Sequence, residues 1–128
     1  MTVLDTHAWL WWVDDDPRLS DAARIAIESS DGLVVSAISA WEVATLERLG
    51  RLRLVPDTRA WIRRALAQPG VVPAPVTPDV AVAAGSILPP FPGDPADRII
   101  YATALVEDAR LVTADRRVAR HDPDRVVW

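Results

Sequence analysis

Short, continuous apolar runs alternate along the chain with longer segments in which apolar residues recur at helical spacing. Three compact runs rich in β-branched residues predict buried strands at residues 2–5, 32–36 and 110–115. A fourth run, at residues 71–76, contains prolines, which predict an edge strand or a covering segment. A short helix and residues 125–128 close the chain.

Helices are predicted between these runs from apolar spacing and from residues that cap helix ends. They span residues 7–13, 21–29, 37–49, 57–68, 78–87 and 95–108, with a short helix from residue 116. In the helix at 21–29, Ala22, Ile25 and Ala26 are predicted to share the apolar face. In the helix at 37–49, Trp41 and Leu49 belong to a row of residues at helical spacing.

Strands that alternate with helices predict an α/β fold with a central, mainly parallel sheet flanked by helices on both faces. A chain of 128 residues fits a single domain, here residues 1–128, and is long enough to bury a core. In sheets of this kind, ligands bind beyond the carboxyl ends of the strands. The residues at those ends are therefore the first candidates for a site.

Four acidic residues from separate segments fall at or near these positions. Asp5 and Asp115 stand where predicted strands end. Glu42 lies in the helix that follows a strand, and Asp97 lies in the first turn of a helix. We therefore expect the four carboxylates to meet at one rim of the sheet.

Each acidic residue also has a capping interpretation that requires no site. Free N–H groups at the start of a helix stabilise carboxylates, and aspartate is a favoured N-cap. The aspartates that would act as N-caps or first-turn residues are Asp5, Asp94, Asp97 and Asp115. Glu42 stands three residues after Ser39 and would complete a capping box with it.

If the carboxylates do meet, the composition determines what can balance their charge. The chain has no lysine and no cysteine, and its two histidines are His7 and His121. Carboxylates brought together repel one another, and burial strengthens the repulsion. A hard divalent cation, Mg²⁺ or Mn²⁺, is the natural counter-charge because it prefers oxygen ligands. Such an ion activates water to hydrolyse a phosphodiester, which leaves a 5′-phosphate and a 3′-hydroxyl.

Composition and charge exclude several other classes of protein. Without lysine, the chain lacks a phosphate-binding P-loop, Schiff-base chemistry and a lysine-assisted aspartyl phosphate. The net charge of −4 does not indicate a general nucleic-acid binder, but the arginines of residues 48–64 either meet phosphates or form a solvated face. No apolar run approaches a membrane span and the amino terminus does not resemble a signal peptide, so we expect a cytoplasmic location.

Four motifs, in order along the chain, carry a resemblance to a known family. They are LDTHAWLWW at residues 4–12, SAISAWEV at 36–43, DPADRIIYATA at 94–104 and LVTAD at 111–115. Together they resemble a PIN domain and, within that superfamily, the VapC toxins of bacterial toxin–antitoxin pairs. The resemblance implies a PIN-like α/β/α sandwich and a magnesium-dependent endoribonuclease toxin, with Mn²⁺ as a substitute ion.

The resemblance also implies roles for particular residues. The acidic quartet that would bind the metal and catalyse cleavage corresponds to Asp5, Glu42, Asp97 and Asp115. Thr6 and Thr113 match polar positions beside the quartet, and Asp94 is assigned as a helix cap first and an outer group second. Arg98 would contact substrate or form a surface ion pair. Many relatives carry histidine where this chain has Pro92, which leaves one substrate or outer contact in doubt.

The resemblance implies an RNA substrate and a cognate VapB-like antitoxin whose tail blocks the site. It also implies a homodimer, which forms a higher assembly when the antitoxin binds. Trp9, Trp11 and Trp12 lie on one short predicted helix and do not easily all face one small core. At least one is expected at the antitoxin or dimer surface, with core burial of all three as the alternative. The alternative function is a catalytically inactive PIN-like module that only binds a partner.

Overall fold

The computed structural model describes residues 1–128 and contains one sheet of five strands. The strands are β1 (Thr2–Leu4), β2 (Leu33–Ser36), β3 (Val71–Ala74), β4 (Arg110–Val112) and β5 (Val126–Val127). Their order is β3-β2-β1-β4-β5, and every neighbouring pair is parallel. The predicted parallel sheet is confirmed, with β1 at its centre and the proline-bearing β3 at one edge. The residues that follow β1, β2 and β4 therefore reach the same rim of the sheet.

Seven helices flank the sheet. They are α1 (Thr6–Val13), α2 (Asp21–Glu28), α3 (Ala37–Arg48), α4 (Thr58–Leu66), α5 (Pro78–Gly85), α6 (Pro95–Val106) and α7 (Arg116–His121). Alternate strand residues point to opposite faces of a sheet. Leu4 and Val35 join an apolar cluster with α1 and α2, whereas Val3 and Val34 join a second cluster with α6 and α7. The chain thus forms the predicted three layers, helices, sheet and helices.

Two helices turn a face to the core that their apolar spacing did not indicate. In α2, Ala22 is exposed and Ile25 is 66% exposed, so the predicted face was wrong for both and right for the buried Ala26. Ala23 and Ile27 are also buried. In α3, Trp41 is 60% exposed, whereas Val43 is buried. Both helices do form where predicted, because spacing indicates a helix even when two stripes of side chains compete for the core. No helix of the structure is both long and apolar enough to cross a membrane.

The capping box predicted at Ser39 and Glu42 is wrong, because α3 begins earlier in the chain. Ser36 is its N-cap, and Ser36 Oγ accepts a hydrogen bond from the N–H of Ile38 at 3.2 Å. Ser39 is buried within α3, and Glu42 lies nearly one turn further along the same side of the helix. The carboxylate of Glu42 is therefore available to the rim of the sheet.

Candidate active site

Asp5 follows the central strand β1 and is fixed by hydrogen bonds at the rim of the sheet. Its N–H donates to the carbonyl of Val112 at 3.1 Å. Its Oδ1 accepts from the N–H of Ala8 at 2.8 Å, and its Oδ2 accepts from the hydroxyl of Thr113. Burial raises the pKa of Asp5, while these two hydrogen bonds act in the opposite direction. The capping role and the position at the rim are thus combined in one side chain.

Glu42 reaches the rim from α3 and is tied to α1 through Thr6. The hydroxyl of Thr6 donates to Oε1 of Glu42 and lies 3.0 Å from Oγ of Ser39. Burial is the main cause that raises the pKa of Glu42, and the hydrogen bond from Thr6 partly offsets it. Ser39 was not predicted as part of the site. Its position three residues before Glu42 could have indicated that the two side chains lie together, but that spacing was interpreted as a capping box.

Asp97 lies in the first turn of α6, and Asp94 is the N-cap of that helix. Oδ1 of Asp94 accepts a hydrogen bond from the N–H of Asp97 at 3.1 Å, which confirms the cap. The pKa of Asp97 is raised to about 6, first by burial and then by neighbouring carboxylates. Those neighbours, from the strongest influence to the weakest, are Asp94, Glu42, Asp115 and Asp5. The four acids of the predicted quartet therefore lie close enough for their charges to interact.

Asp115 follows β4 and caps α7, and its carboxylate is held by Arg117. Oδ1 accepts from the backbone N–H of Arg117 at 2.8 Å and from its Nε at 3.2 Å, while Oδ2 accepts from Nη2 at 2.9 Å. These hydrogen bonds lower the pKa of Asp115. Sequence reasoning missed Arg117, although the same spacing places Arg18 on Asp16 through three matching hydrogen bonds.

An open cleft of about 450 Å³ lies along this rim. Its lining includes Asp5, Asp97, Asp115, His7, Trp11 and Arg117. No three histidine, aspartate or glutamate side chains of the structure approach closely enough to hold one metal ion together. The donor set nevertheless fits a hard cation chemically, because Asp5, Asp97 and Asp115 offer carboxylate oxygens to the cleft. The raised pKa of Asp97 also reflects a repulsion that such a cation would relieve.

The three tryptophans of α1 have different environments. Trp9 is fully buried in the core, so the expected surface role does not apply to it. Trp12 is half-buried. Trp11 is also half-buried and lines the acidic cleft, with its ring centre 5.5 Å from that of His7 and 5.7 Å from that of Trp128. Trp11 is therefore the tryptophan of this helix that a ligand in the cleft can reach.

Arg98 donates its hydrogen bonds to backbone carbonyls. Its Nε donates to Ala84 at 3.1 Å, Nη2 to Ile87 at 2.8 Å, and Nη1 to Pro92 at 3.5 Å. It forms no ion pair, so that part of the expectation was wrong. Arg98 instead joins α6 to the end of α5 and to the loop of residues 88–93.

The fold agrees with what comparison with known proteins finds. A family model described as the PIN domain matches residues 2–123, and the chain belongs to the PIN-domain family. It is 43% identical to Ribonuclease VapC22 of Mycobacterium tuberculosis, over 98% of this chain and 97% of that protein, which makes it a VapC-type member.

Solved structures of similar fold include assemblies of toxins with antitoxins. A toxin–antitoxin complex from Klebsiella pneumoniae superposes with a TM-score of 0.70 at 18% identity, over 100% of this chain and 97% of that one. The VapBC2 complex from Rickettsia felis, bound to a DNA fragment from its promoter, gives a TM-score of 0.68 at 15% identity, over 98% and 96% of the two chains. At these identities, the likeness establishes the shared fold.

Proposed function

We propose that this chain is the ribonuclease toxin of a toxin–antitoxin pair and that it hydrolyses RNA phosphodiesters with Mg²⁺, for which Mn²⁺ can substitute. The observation that carries the proposal is the position of four carboxylates along one rim, where burial and then the neighbouring carboxylates raise the pKa of Asp97 to about 6. The relative at 43% identity is named as a ribonuclease, which supports the reaction. Water as the nucleophile would leave a 5′-phosphate and a 3′-hydroxyl.

The cation would be held by the carboxylates of the rim, which are Asp5, Glu42, Asp97 and Asp115. When bound, the ion would lower the pKa of a water molecule and offset negative charge on the phosphodiester. Asp5 is presented in a fixed orientation, because Thr113 and Ala8 each bond one of its oxygens. Thr6 orients Glu42 in the same way from α1. Asp97 is partly buried beside other carboxylates, so a bound cation would stabilise its ionised form.

The partners in this proposal are a cognate VapB-like antitoxin and a second copy of the chain. The similar structures from Klebsiella pneumoniae and Rickettsia felis are toxin–antitoxin complexes, which supports such a partner. In this proposal, the antitoxin inhibits the chain by covering the acidic cleft. Trp41, Val82 and Leu88 are exposed and offer apolar area for either contact. We also propose that the protein acts in the cytoplasm, where it would meet an RNA substrate.

The proposal is tested by RNA cleavage with purified chain, with Mg²⁺ and with EDTA. We expect Asp97→Asn and Asp5→Asn to lower cleavage by about a hundredfold or more, since even groups that only support a metal ligand contribute about 10–100-fold. Asp79→Asn is the matched control, because Asp79 also lies in the first turn of a helix, α5, but outside the rim. Cleavage that persists in EDTA or in both rim variants would rule out this assignment.

Two observations favour the second candidate function, an inactive module that only binds a partner. Arg117 already pairs with Asp115, and no three acidic or histidine side chains lie close enough together to hold one ion. Titration calorimetry with Mg²⁺ and Mn²⁺ separates the candidates. Heat of binding that disappears in Asp97→Asn supports the nuclease, whereas no binding by the unaltered chain supports the module.

A further inference from the structure

A second cavity lies beside the acidic cleft and is the larger of the two, with a volume of about 640 Å³. Its lining consists of Pro90, Phe91, Pro92, Arg117, Arg120 and His121. Arg117 lines both spaces, so the second cavity lies next to the rim that carries Asp115. A ligand that extends past Arg117 from the acidic rim would therefore reach the second cavity.

One side of this cavity is aromatic. The ring centre of Phe91 lies 5.0 Å from that of His121 at an interplanar angle of 82°, and 4.9 Å from that of the buried Tyr101. Arg98 braces this wall, because it donates to the carbonyls of Ile87 and Pro92 on either side of Phe91. The ring of Phe91 is thus held in place before any ligand arrives.

The charged groups of the cavity are cationic. Arg117 and Arg120 line it, and no carboxylate does. Arg117 is engaged with Asp115, whereas the exposed guanidinium of Arg120 has no carboxylate partner. A guanidinium without a carboxylate beside a flat ring suits a group that combines negative charge with an aromatic surface. A nucleotide has both in one unit.

We propose that this cavity binds an unpaired nucleotide of the RNA next to the phosphodiester at the acidic rim. Arg120 contacts its phosphate, and its base packs against Phe91 and His121. The inference rests on the proposed ribonuclease function, and it adds that the substrate is single-stranded or looped at this position, because a paired base has no free face to pack there. An acidic peptide would satisfy Arg120 but would leave the aromatic wall without a matching surface.

The test measures RNA binding without cleavage. A labelled eight-nucleotide single-stranded RNA of mixed sequence is titrated, by fluorescence anisotropy, with the full chain carrying Asp97→Asn in EDTA and in a series of salt concentrations. Arg120→Gln is expected to weaken binding and to make the slope of log K against log salt less negative by about 0.7, the value for one phosphate contact on a single strand. Phe91→Leu is expected to weaken binding about tenfold with an unchanged slope, because it removes a stacking surface and no charge.

The matched control is Arg110→Gln, which removes an exposed arginine at the start of β4, the end of the strand opposite to the rim. It should change neither affinity nor slope. Equal thermal unfolding midpoints verify that the variants are folded, and Phe91→Tyr, which keeps the ring, should restore the affinity lost in Phe91→Leu.

Two outcomes would overturn the inference. The first is RNA affinity and salt slope in Arg120→Gln and Phe91→Leu equal to those of the control. The second is a loss of affinity, in Arg120→Gln and Phe91→Leu, for a labelled acidic peptide while RNA affinity stays unchanged. That result would assign the cavity to a protein partner. Either result leaves the proposed function intact if the unaltered chain still cleaves RNA. If Arg120→Gln and Phe91→Leu weaken RNA binding but the unaltered chain does not cleave RNA, the result supports the RNA subsite and contradicts the proposed nuclease.

Discussion

Asp97 and Asp115 share one rim, yet their neighbours move their pKa values in opposite directions. Burial, and then the neighbouring carboxylates, raise the pKa of Asp97 to about 6. Asp115 accepts hydrogen bonds from Arg117, which lower its pKa. A carboxylate with a raised pKa resists ionisation, so the folded chain at neutral pH retains an unfavourable charge at Asp97. Among the rim carboxylates, Asp97 is therefore the one whose ionisation, or whose pairing with a cation, should change the free energy of unfolding most.

Replacement of Asp97 by asparagine is expected to stabilise the metal-free protein at neutral pH. The pKa of Asp97 is about 6 in the folded chain against an ordinary value of 3.8, so its ionisation favours the unfolded chain. The unfavourable contribution is absent below about pH 4, grows between pH 4 and 6, and is complete above pH 6. The full shift corresponds to about 3 kcal/mol, which partial exposure reduces to about 1–2 kcal/mol.

Urea unfolding of both proteins in EDTA, from pH 4 to pH 8, measures this difference. Asp79→Asn serves as the control, because its carboxylate is exposed on α5 and lies outside the rim. We expect a free energy of unfolding that is greater in Asp97→Asn above pH 6 and equal in the two proteins near pH 4. A constant difference across this range would show that the charge of Asp97 is not its cause.

At the scale of elements, the rim is assembled by segments whose ends also serve ordinary local needs. Asp5 and Asp115 cap α1 and α7, and Asp94 caps α6. Capping and site chemistry use the same preference for negative charge at a helix start, so the two interpretations of the sequence were not exclusive. What the local pattern did not reveal was that the cap Asp115 would bond the arginine two residues after it.

Arg117 is expected to compete with a divalent cation for Asp115. Its guanidinium bonds both oxygens of that carboxylate, so Arg117→Ala should raise the affinity for Mg²⁺, by about twofold to fivefold for an exposed ion pair. Arg18→Ala is the control, because it breaks an ion pair of the same geometry on Asp16, a residue of the loop between α1 and α2.

Titration calorimetry at pH 7 measures both variants against the unaltered chain. Unchanged affinity in Arg117→Ala would mean that Asp115 does not contribute to the ion. A matching increase in Arg18→Ala would point instead to the overall charge of the chain.

The existence of most elements could be predicted from the sequence, but the faces of two helices could not. Compact β-branched runs and capping residues act locally, so strands and helices appear where the chain indicates them. Burial depends on partners far away in sequence. Ala23 and Val43 face the core, whereas the larger Ile25 and Trp41 do not. A single helix carries two candidate stripes, and only the neighbouring elements decide between them.

At the scale of the whole molecule, acidic residues and arginines lie side by side at the rim of the sheet. The chain has a net charge of −4, and several of its acids converge on one rim beside the arginines of α7. The acidic quartet stays a prediction as a metal site, although the sequence could indicate that its members lie near one edge of the sheet, because parallel strands end there together. The cavity of Phe91 and Arg120 was not predicted, since it joins a loop and a helix that are far apart in sequence and share no motif.

Addition of Mg²⁺ is expected to stabilise the whole fold. An ion that binds only the folded chain adds about 2.7 kcal/mol to the free energy of unfolding at a concentration a hundredfold above its dissociation constant. The gain should shrink below pH 6, because the proton taken up by Asp97 competes with the ion. Asp97→Asn should lose most of the gain at every pH.

Thermal unfolding with and without Mg²⁺, at pH 5 and pH 7, checks this expectation. EDTA should return the unaltered chain to its metal-free midpoint. An equal rise in midpoint for the unaltered chain and for Asp97→Asn would indicate that the ion acts elsewhere on the surface.

The hydrogen bond between Asp5 and Thr113 also bears on how such a protein is made. It joins residues 108 positions apart, and β4, which precedes Thr113, pairs with β1 at the centre of the sheet. A nascent chain that still lacks β4 cannot orient Asp5 through Thr113, and it has no Asp115. On the ribosome, the proposed site therefore stays incomplete until β4, Thr113 and Asp115 have all been translated. A nascent chain shorter than that would carry none of the proposed nuclease activity.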